Sequence, residues 1–266
     1  YSLYAFCASL GSFFAFRIDS IMIPEFISNE ANGDFNIGVN LANALMIPAT
    51  GVFALYSPII SEALKNNDFK LLKNKYAEVA KNLYFIGILM FGCLLLGISD
   101  LFSLLTTTKK LAPTIPILYI LGANVILNMS TGFSTEIIAY SKFYKFNLIA
   151  ILSLAVLNIG LNYLILTQTD FGIIGVAYAS LISMFVFNLM KLIFIYKKFQ
   201  ILPINISYLK TILLSLVLLF LCWILPIQFL GDFSFVIRCA LFSISFSGIV
   251  FLFGWVPELN TNVFKI

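Results

Sequence analysis

The stretch Gly172-Ile173-Ile174-Gly175-Val176-Ala177-Tyr178-Ala179-Ser180-Leu181-Ile182-Ser183 decides the fold. Gly175, Ala179 and Ser183 recur at every fourth position, a spacing that stacks them on one face of a helix. Around them Val176, Leu181, Phe185 and Phe187 place apolar side chains on every other side. A helix apolar all round lies in lipid or in a very large core. In lipid, a row of small residues lets a neighbouring backbone approach closely, and that approach holds spanning helices together. Upstream, the polar tip Thr167-Gln168-Thr169-Asp170 and then Gly172 mark a tight turn. Residues 162–196 therefore read as the end of one span, an external turn, and a second span built to be packed against.

Composition extends this reading to the whole chain. Of 266 residues, 61% are hydrophobic, 16% aromatic and only 11% charged, and the mean hydropathy is +1.02. A soluble domain carries about 25% charged residues. The chain is expected to be an all-α polytopic membrane protein. A span needs about 20 apolar residues. About eight such runs are present: 4–23, 37–60, 83–105, 115–139, 148–166, 173–196, 211–227 and 235–256. The connections alternate in charge. Those after the even-numbered runs carry Lys65, Lys70, Lys73, Lys75, Lys81, Lys142, Lys145, Lys197, Lys198, Lys210 and Lys265. Those after the odd-numbered runs carry Glu25, Glu30, Asp34, Asp170 and Asp232, with Lys109 and Lys110 as the exceptions. Lysine accumulates in cytoplasmic loops. The lysine-rich set is expected inside, with the C-terminus on that side. The first residue is Tyr1, and the first run begins almost at once, so the chain reads as a fragment lacking its N-terminal part.

Residues 162–165 (Asn-Tyr-Leu-Ile) together with the Gly172–Ser183 run resemble a signature of bacterial polysaccharide exporters. These are the Wzx-type O-antigen flippases of the multidrug/oligosaccharidyl-lipid/polysaccharide exporter superfamily. A second stretch is similar to the start of that family's C-terminal lobe: Asp19 closing the first helix, Pro58-Ile59-Ile60-Ser61, and then the short polar loop with Asn67-Asp68. The resemblance implies the C-terminal lobe of a two-lobed MATE-like exporter at 1–200, with six spans, and two extra C-terminal helices at 201–266. It also implies alternating access, two lobes rocking around a central polar cavity. The implied activity is the flipping of an undecaprenyl-diphosphate-linked oligosaccharide across the bacterial inner membrane. Expected partners are that lipid-linked oligosaccharide, membrane lipids and the N-terminal lobe of the same protein, with no nucleic acid. No cofactor is expected, and coupling to H+ or Na+ fits the intramembrane carboxylates.

Several polar residues fall inside the apolar runs, where a charge at the helix centre costs roughly 2.5–3.5 kcal/mol. Arg17 and Asp19 are two apart and point to nearly opposite sides, so they do not pair with each other. Either they face a wet cavity, with Arg17 drawing a diphosphate and Asp19 holding a cation or proton, or they snorkel to the outer surface. Asn124, Asn128, Thr131 and Thr135 form a stripe at helical spacing, with Glu136 near the inner end of the same run. That stripe lines a translocation path or makes interhelical hydrogen bonds. Asn158 and Asn162 form a similar pair, expected to serve packing. Pro48 is expected to kink the second run. Phe69, Leu72, Tyr76, Val79 and Leu83 recur at helical spacing among lysines, consistent with an interfacial helix on the inner leaflet or a plain basic loop.

Absences narrow the function. There is no His, and the four cysteines (Cys7, Cys93, Cys222, Cys239) sit singly in apolar runs, so zinc and disulfide frameworks are not expected. No Gly-x-x-x-x-Gly-Lys loop is present to bind nucleotide phosphates, and no external loop carries paired carboxylates. An enzyme is not expected. The readings left beside a flippase are a cation-coupled multidrug antiporter of the same superfamily and a membrane-embedded glycosyltransferase or polymerase.

Overall fold

The computed structural model describes residues 2–104, 111–225 and 234–256, excluding the side chains of 2–5, 7–9, 15, 16 and 104. Lys109, Lys110, Asp232 and Lys265, and the side chain of Cys7, lie outside these described residues. Ten helices and no strand are found among them: α1 (Ser2–Phe26), α2 (Asn29–Ala44), α3 (Ile47–Lys65), α4 (Phe69–Leu104), α5 (Thr114–Ser130), α6 (Ser134–Tyr140), α7 (Tyr144–Gln168), α8 (Gly172–Phe199), α9 (Ile206–Ile224) and α10 (Ser234–Leu252).

Among the described residues, six helices are each long and apolar enough to cross a membrane, and the bent pair α5/α6 makes a seventh when counted as one span. The chain is a multi-pass membrane protein. Every one of the eight apolar runs contains a helix, but two runs are interrupted. The second breaks at Leu45–Met46, where helical bonding lapses, and Pro48 then sits in the first turn of α3. Pro48 thus opens a helix instead of kinking one, because a missing N–H costs nothing in a first turn. The fourth run bends by 49° between α5 and α6. Gly132 lies at that bend with φ +54, and a Cβ on it would meet Ala80 Cβ at 2.9 Å. Only glycine takes that conformation without strain in a gap that narrow.

The lysine-bearing stretch after α3 is neither an interfacial helix nor a loop. It is the first part of α4, which runs unbroken for 36 residues. Leu72, Tyr76, Val79 and Leu83 are fully buried there, so the apolar stripe faces protein rather than the leaflet. The lysines at 70, 73, 75 and 81 belong to this helix.

Packing runs from helix to helix. α1 lies on α7, α7 on α8, α8 on α5, and α5 on both α2 and α4. Small residues set the close approaches. A Cβ on Gly175 would stand 2.5 Å from Ile165 Cγ2 and 2.8 Å from Phe171 Cβ, so α8 starts tight against the end of α7. Ala179 and Ser183 follow on the same face and are fully buried. A Cβ on Gly38 of α2 would meet Ile117 of α5 at 2.9 Å. The last two helices dock on α4: Phe242 fills the space over Gly92, and Phe85 stacks on Phe246 at 5.3 Å. Tyr84 and Ser215 share a hydrogen bond of 2.7 Å, tying α4 to α9. This arrangement leaves α1, α2, α5, α7 and α8 around one polar space.

Candidate functional site

That space is a cavity of about 410 Å³ whose walls come from all five helices. Asp19 of α1 is on its wall and only 7% exposed. Three neutral donors converge on the carboxylate. Asn158 and Asn162 of α7 donate to Oδ1 at 3.0 and 2.6 Å, and Ser180 of α8 donates to Oδ2 at 2.6 Å. The two asparagines are one helical turn apart, so a single face of α7 supplies both. Ser180 follows Ala179, which puts it on the edge of the small-residue face where α8 meets α7 and α1.

The magnitudes explain how a carboxylate persists at this depth. Its insertion costs roughly 2.5–3.5 kcal/mol. A hydrogen bond to a charged group contributes about 1.5–3 kcal/mol, so three of them offset that cost. What they do not supply is charge. Among the described residues, no cationic side chain pairs with Asp19. Arg17 is exposed and is not part of the cavity wall. The two ionisable groups on α1 therefore part company: Asp19 is buried on the cavity wall, and Arg17 is exposed and off it.

Asn124 and Asn128 of α5 line the same cavity opposite Asp19, and Asn43 of α2 closes another side. Asn124 Oδ1 is buried and without a hydrogen-bond partner, as is Asn162 Oδ1 beside the carboxylate. The cavity wall thus carries a carboxyl group together with the amides of Asn43, Asn124, Asn128 and Asn158. Asn158 and Asn162, expected to serve packing, are instead the main ligands of Asp19.

Glu136 is elsewhere. It lies on α6, beyond the 49° bend, and does not line the cavity. Sequence reasoning missed its neighbour Lys191, which is 1% exposed in the middle of α8. The Lys191 Nζ donates to Thr135 Oγ1 at 3.0 Å and sits 4.1 Å above the Phe187 ring. Glu136 follows Thr135 in the chain, so Lys191 lies in its neighbourhood, but the two form no ion pair within 4 Å. Between the two centres runs a polar seam in which Thr131 Oγ1 donates to the Asn128 carbonyl at 2.8 Å and to Asn188 Oδ1 at 3.2 Å. The signal for Lys191 was available, since a lysine inside a run of apolar residues is costly and rarely idle.

No protein-family profile matches the sequence, and no curated protein matches it. Solved structures do. One is a multidrug resistance MATE family transporter of the MOP superfamily in an outward-facing conformation, at 17% identity and a TM-score of 0.53, aligned over 96% of this chain and 65% of that one. Another is a MOP superfamily transporter from Pyrococcus furiosus, described by the reverse polarity of its binding pocket, at 16% identity and a TM-score of 0.54, over 94% of this chain and 63% of that one. The all-helical membrane fold is that of these transporters. The chain spans just under two thirds of their length.

Proposed function

We propose that this chain is the larger part of a cation-coupled exporter, with Asp19 as the coupling site. The observation that carries this reading is a buried carboxylate at the wall of a polar cavity, held by Asn158, Asn162 and Ser180 and lacking a fixed counter-ion. A single negative charge in that setting favours one mobile positive charge, H+ or Na+. Glu136 is a weaker candidate, because it does not line the cavity. Occupation of Asp19 would alter the bonds that tie α1 to α7 and α8. This is how ion binding reaches the packing of the lobe.

For the substrate we favour a lipid-linked oligosaccharide carried as an undecaprenyl diphosphate, moved across the bacterial inner membrane for surface polysaccharide synthesis. The Gly175–Ala179–Ser183 signature and the run of amides at Asn43, Asn124 and Asn128 support it, since amides suit the hydroxyls of a sugar. Arg17, exposed on α1, is the residue assigned to the diphosphate, which its planar fork suits. The second reading is a multidrug antiporter, favoured by the likeness to a multidrug MATE transporter. The two part in a deletion strain. Accumulation of lipid-linked sugar on the cytoplasmic face supports the flippase. Unchanged glycan with heightened sensitivity to lipophilic cations supports the antiporter and overturns the flippase reading.

A further inference from the structure

A second concave site lies at the opposite end of the bundle from the acidic connections. It is a pocket of about 330 Å³ where α3 ends, α4 begins, α6 turns into α7 and α8 ends. Three lysines reach it from three separate connections: Lys65, Lys142 and Lys198. No acidic side chain is part of its wall. Two of the lysines sit at helix C-termini, where a cation is favoured in any case. Lys142 directly follows Ser141, the C-cap of α6, and converges on the same place.

The pocket holds these charges together. Lys142 Nζ and Lys198 Nζ each lie 5.3 Å from the centroid of the Phe143 ring. The two ammoniums are therefore within about 11 Å of each other, anchored by a shared cation–π surface. Like charges held that close repel, and at a membrane surface the repulsion is less screened than in bulk water. The rest of the wall is mixed, with Asn67 beside an aromatic and apolar side. Phe143 packs edge-on to Phe199 at 5.9 Å, and Phe69 packs against Phe199 at 6.0 Å. Ser61 and Ser141 add hydroxyls at the rim. A cationic rim above an aromatic wall suits an amphipathic anion with its charge at one end.

We propose that this pocket binds a phosphate group presented by an anionic lipid, with Lys65, Lys142 and Lys198 on the phosphate and the Phe143–Phe199 wall against the glycerol and upper chain. Basic pockets between spanning helices hold phospholipid headgroups in this way. The aromatic wall is what separates a lipid phosphate from a free one, since inorganic phosphate makes no use of it. The site is distinct from the cavity at Asp19 and stands whether or not the proposed transport reading holds.

The test uses the full-length protein in detergent, titrated with dioctanoyl phosphatidylglycerol, dioctanoyl phosphatidylcholine or inorganic phosphate and read by native mass spectrometry and thermal shift. The wild type is expected to prefer phosphatidylglycerol, with inorganic phosphate competing poorly. The triple variant K65Q/K142Q/K198Q is expected to lose about 100-fold in affinity, about 5-fold for each lysine. The charge-matched control K70Q/K73Q/K197Q, at the same end of the bundle but with none of its lysines in the pocket wall, is expected to stay within about 2-fold. Equal losses in both variants would mean diffuse surface charge and would overturn the site. Inorganic phosphate competing as well as the lipid would overturn the lipid assignment. If the triple variant did not fold, the wild type alone would decide, since no preference for phosphatidylglycerol over phosphatidylcholine overturns the proposal.

Discussion

At the scale of single residues, position is what distinguishes the two intramembrane carboxyls. Asp19 is held by three neutral donors on the cavity wall, while Glu136 lies off the cavity. Asp19→Asn in the full-length protein is expected to abolish coupled transport while leaving expression and membrane insertion intact. Wild-type transport by that variant would remove Asp19 from the mechanism. Lys191→Met is expected to destabilise the protein by about 1–3 kcal/mol, because it removes the hydrogen bond to Thr135 and the contact over the Phe187 ring. An unchanged unfolding midpoint in detergent would show that neither contact stabilises the fold. That Asp19 needs partners is legible in the sequence, since a carboxylate inside an apolar run is an expense. The identity of its partners is not. An Asn pair at i and i+4 reads the same whether it packs against a helix or donates to an acid 139 residues away. Lys191 is harder to read, because it lies inside an apolar helix near its lysine-bearing end and nothing local tells a buried lysine there from one that reaches the interface.

At the scale of elements, the breaks matter as much as the helices. Gly132→Ala is expected to cost about 2 kcal/mol or more, from a positive φ and from the Cβ meeting Ala80. Gly175→Leu is expected to cost a similar amount by forcing α8 off Ile165 and Phe171. Both are measured as a fall in the detergent unfolding midpoint, and a neutral Gly175→Leu would remove the small-residue face from the packing of α7 on α8. The helical spacing of Phe69, Leu72, Tyr76, Val79 and Leu83 fits an interfacial helix, with a plain basic loop as the other reading, and the structure makes it the start of α4. A lysine-decorated amphipathic pattern carries no mark of what covers its apolar side. Here the cover is Phe133 and its neighbours from the bent span, a contact distant in sequence. Pro48 was misassigned for a related reason: proline signals a discontinuity, and only the neighbouring hydrogen bonds tell a kink from a start.

At the scale of the whole molecule, sidedness is the expectation to check. Single cysteines placed at Lys65, Lys142 and Lys198 in an otherwise cysteine-free protein are expected to react with an impermeant maleimide only after the inner face is exposed. A cysteine at Asp170 should react from outside. Reversal of that pattern would invert the membrane orientation and the direction of transport with it. The all-helical class and the eight apolar runs could be read directly, because bilayer thickness fixes the length of an apolar run regardless of tertiary structure. The cavity could not, since it is made by five helices whose order of contact no local pattern encodes. One further consequence belongs to α4. At about 1.5 Å per residue its 36 residues extend roughly 54 Å, well past a hydrocarbon layer of about 30 Å. Such a rod is a lever: a rocking of about 10° anywhere along it swings its far tip by as much as about 9 Å. With α3, α9 and α10 riding on the same shaft, a small tilt inside the bilayer becomes a large stroke in the water beyond it.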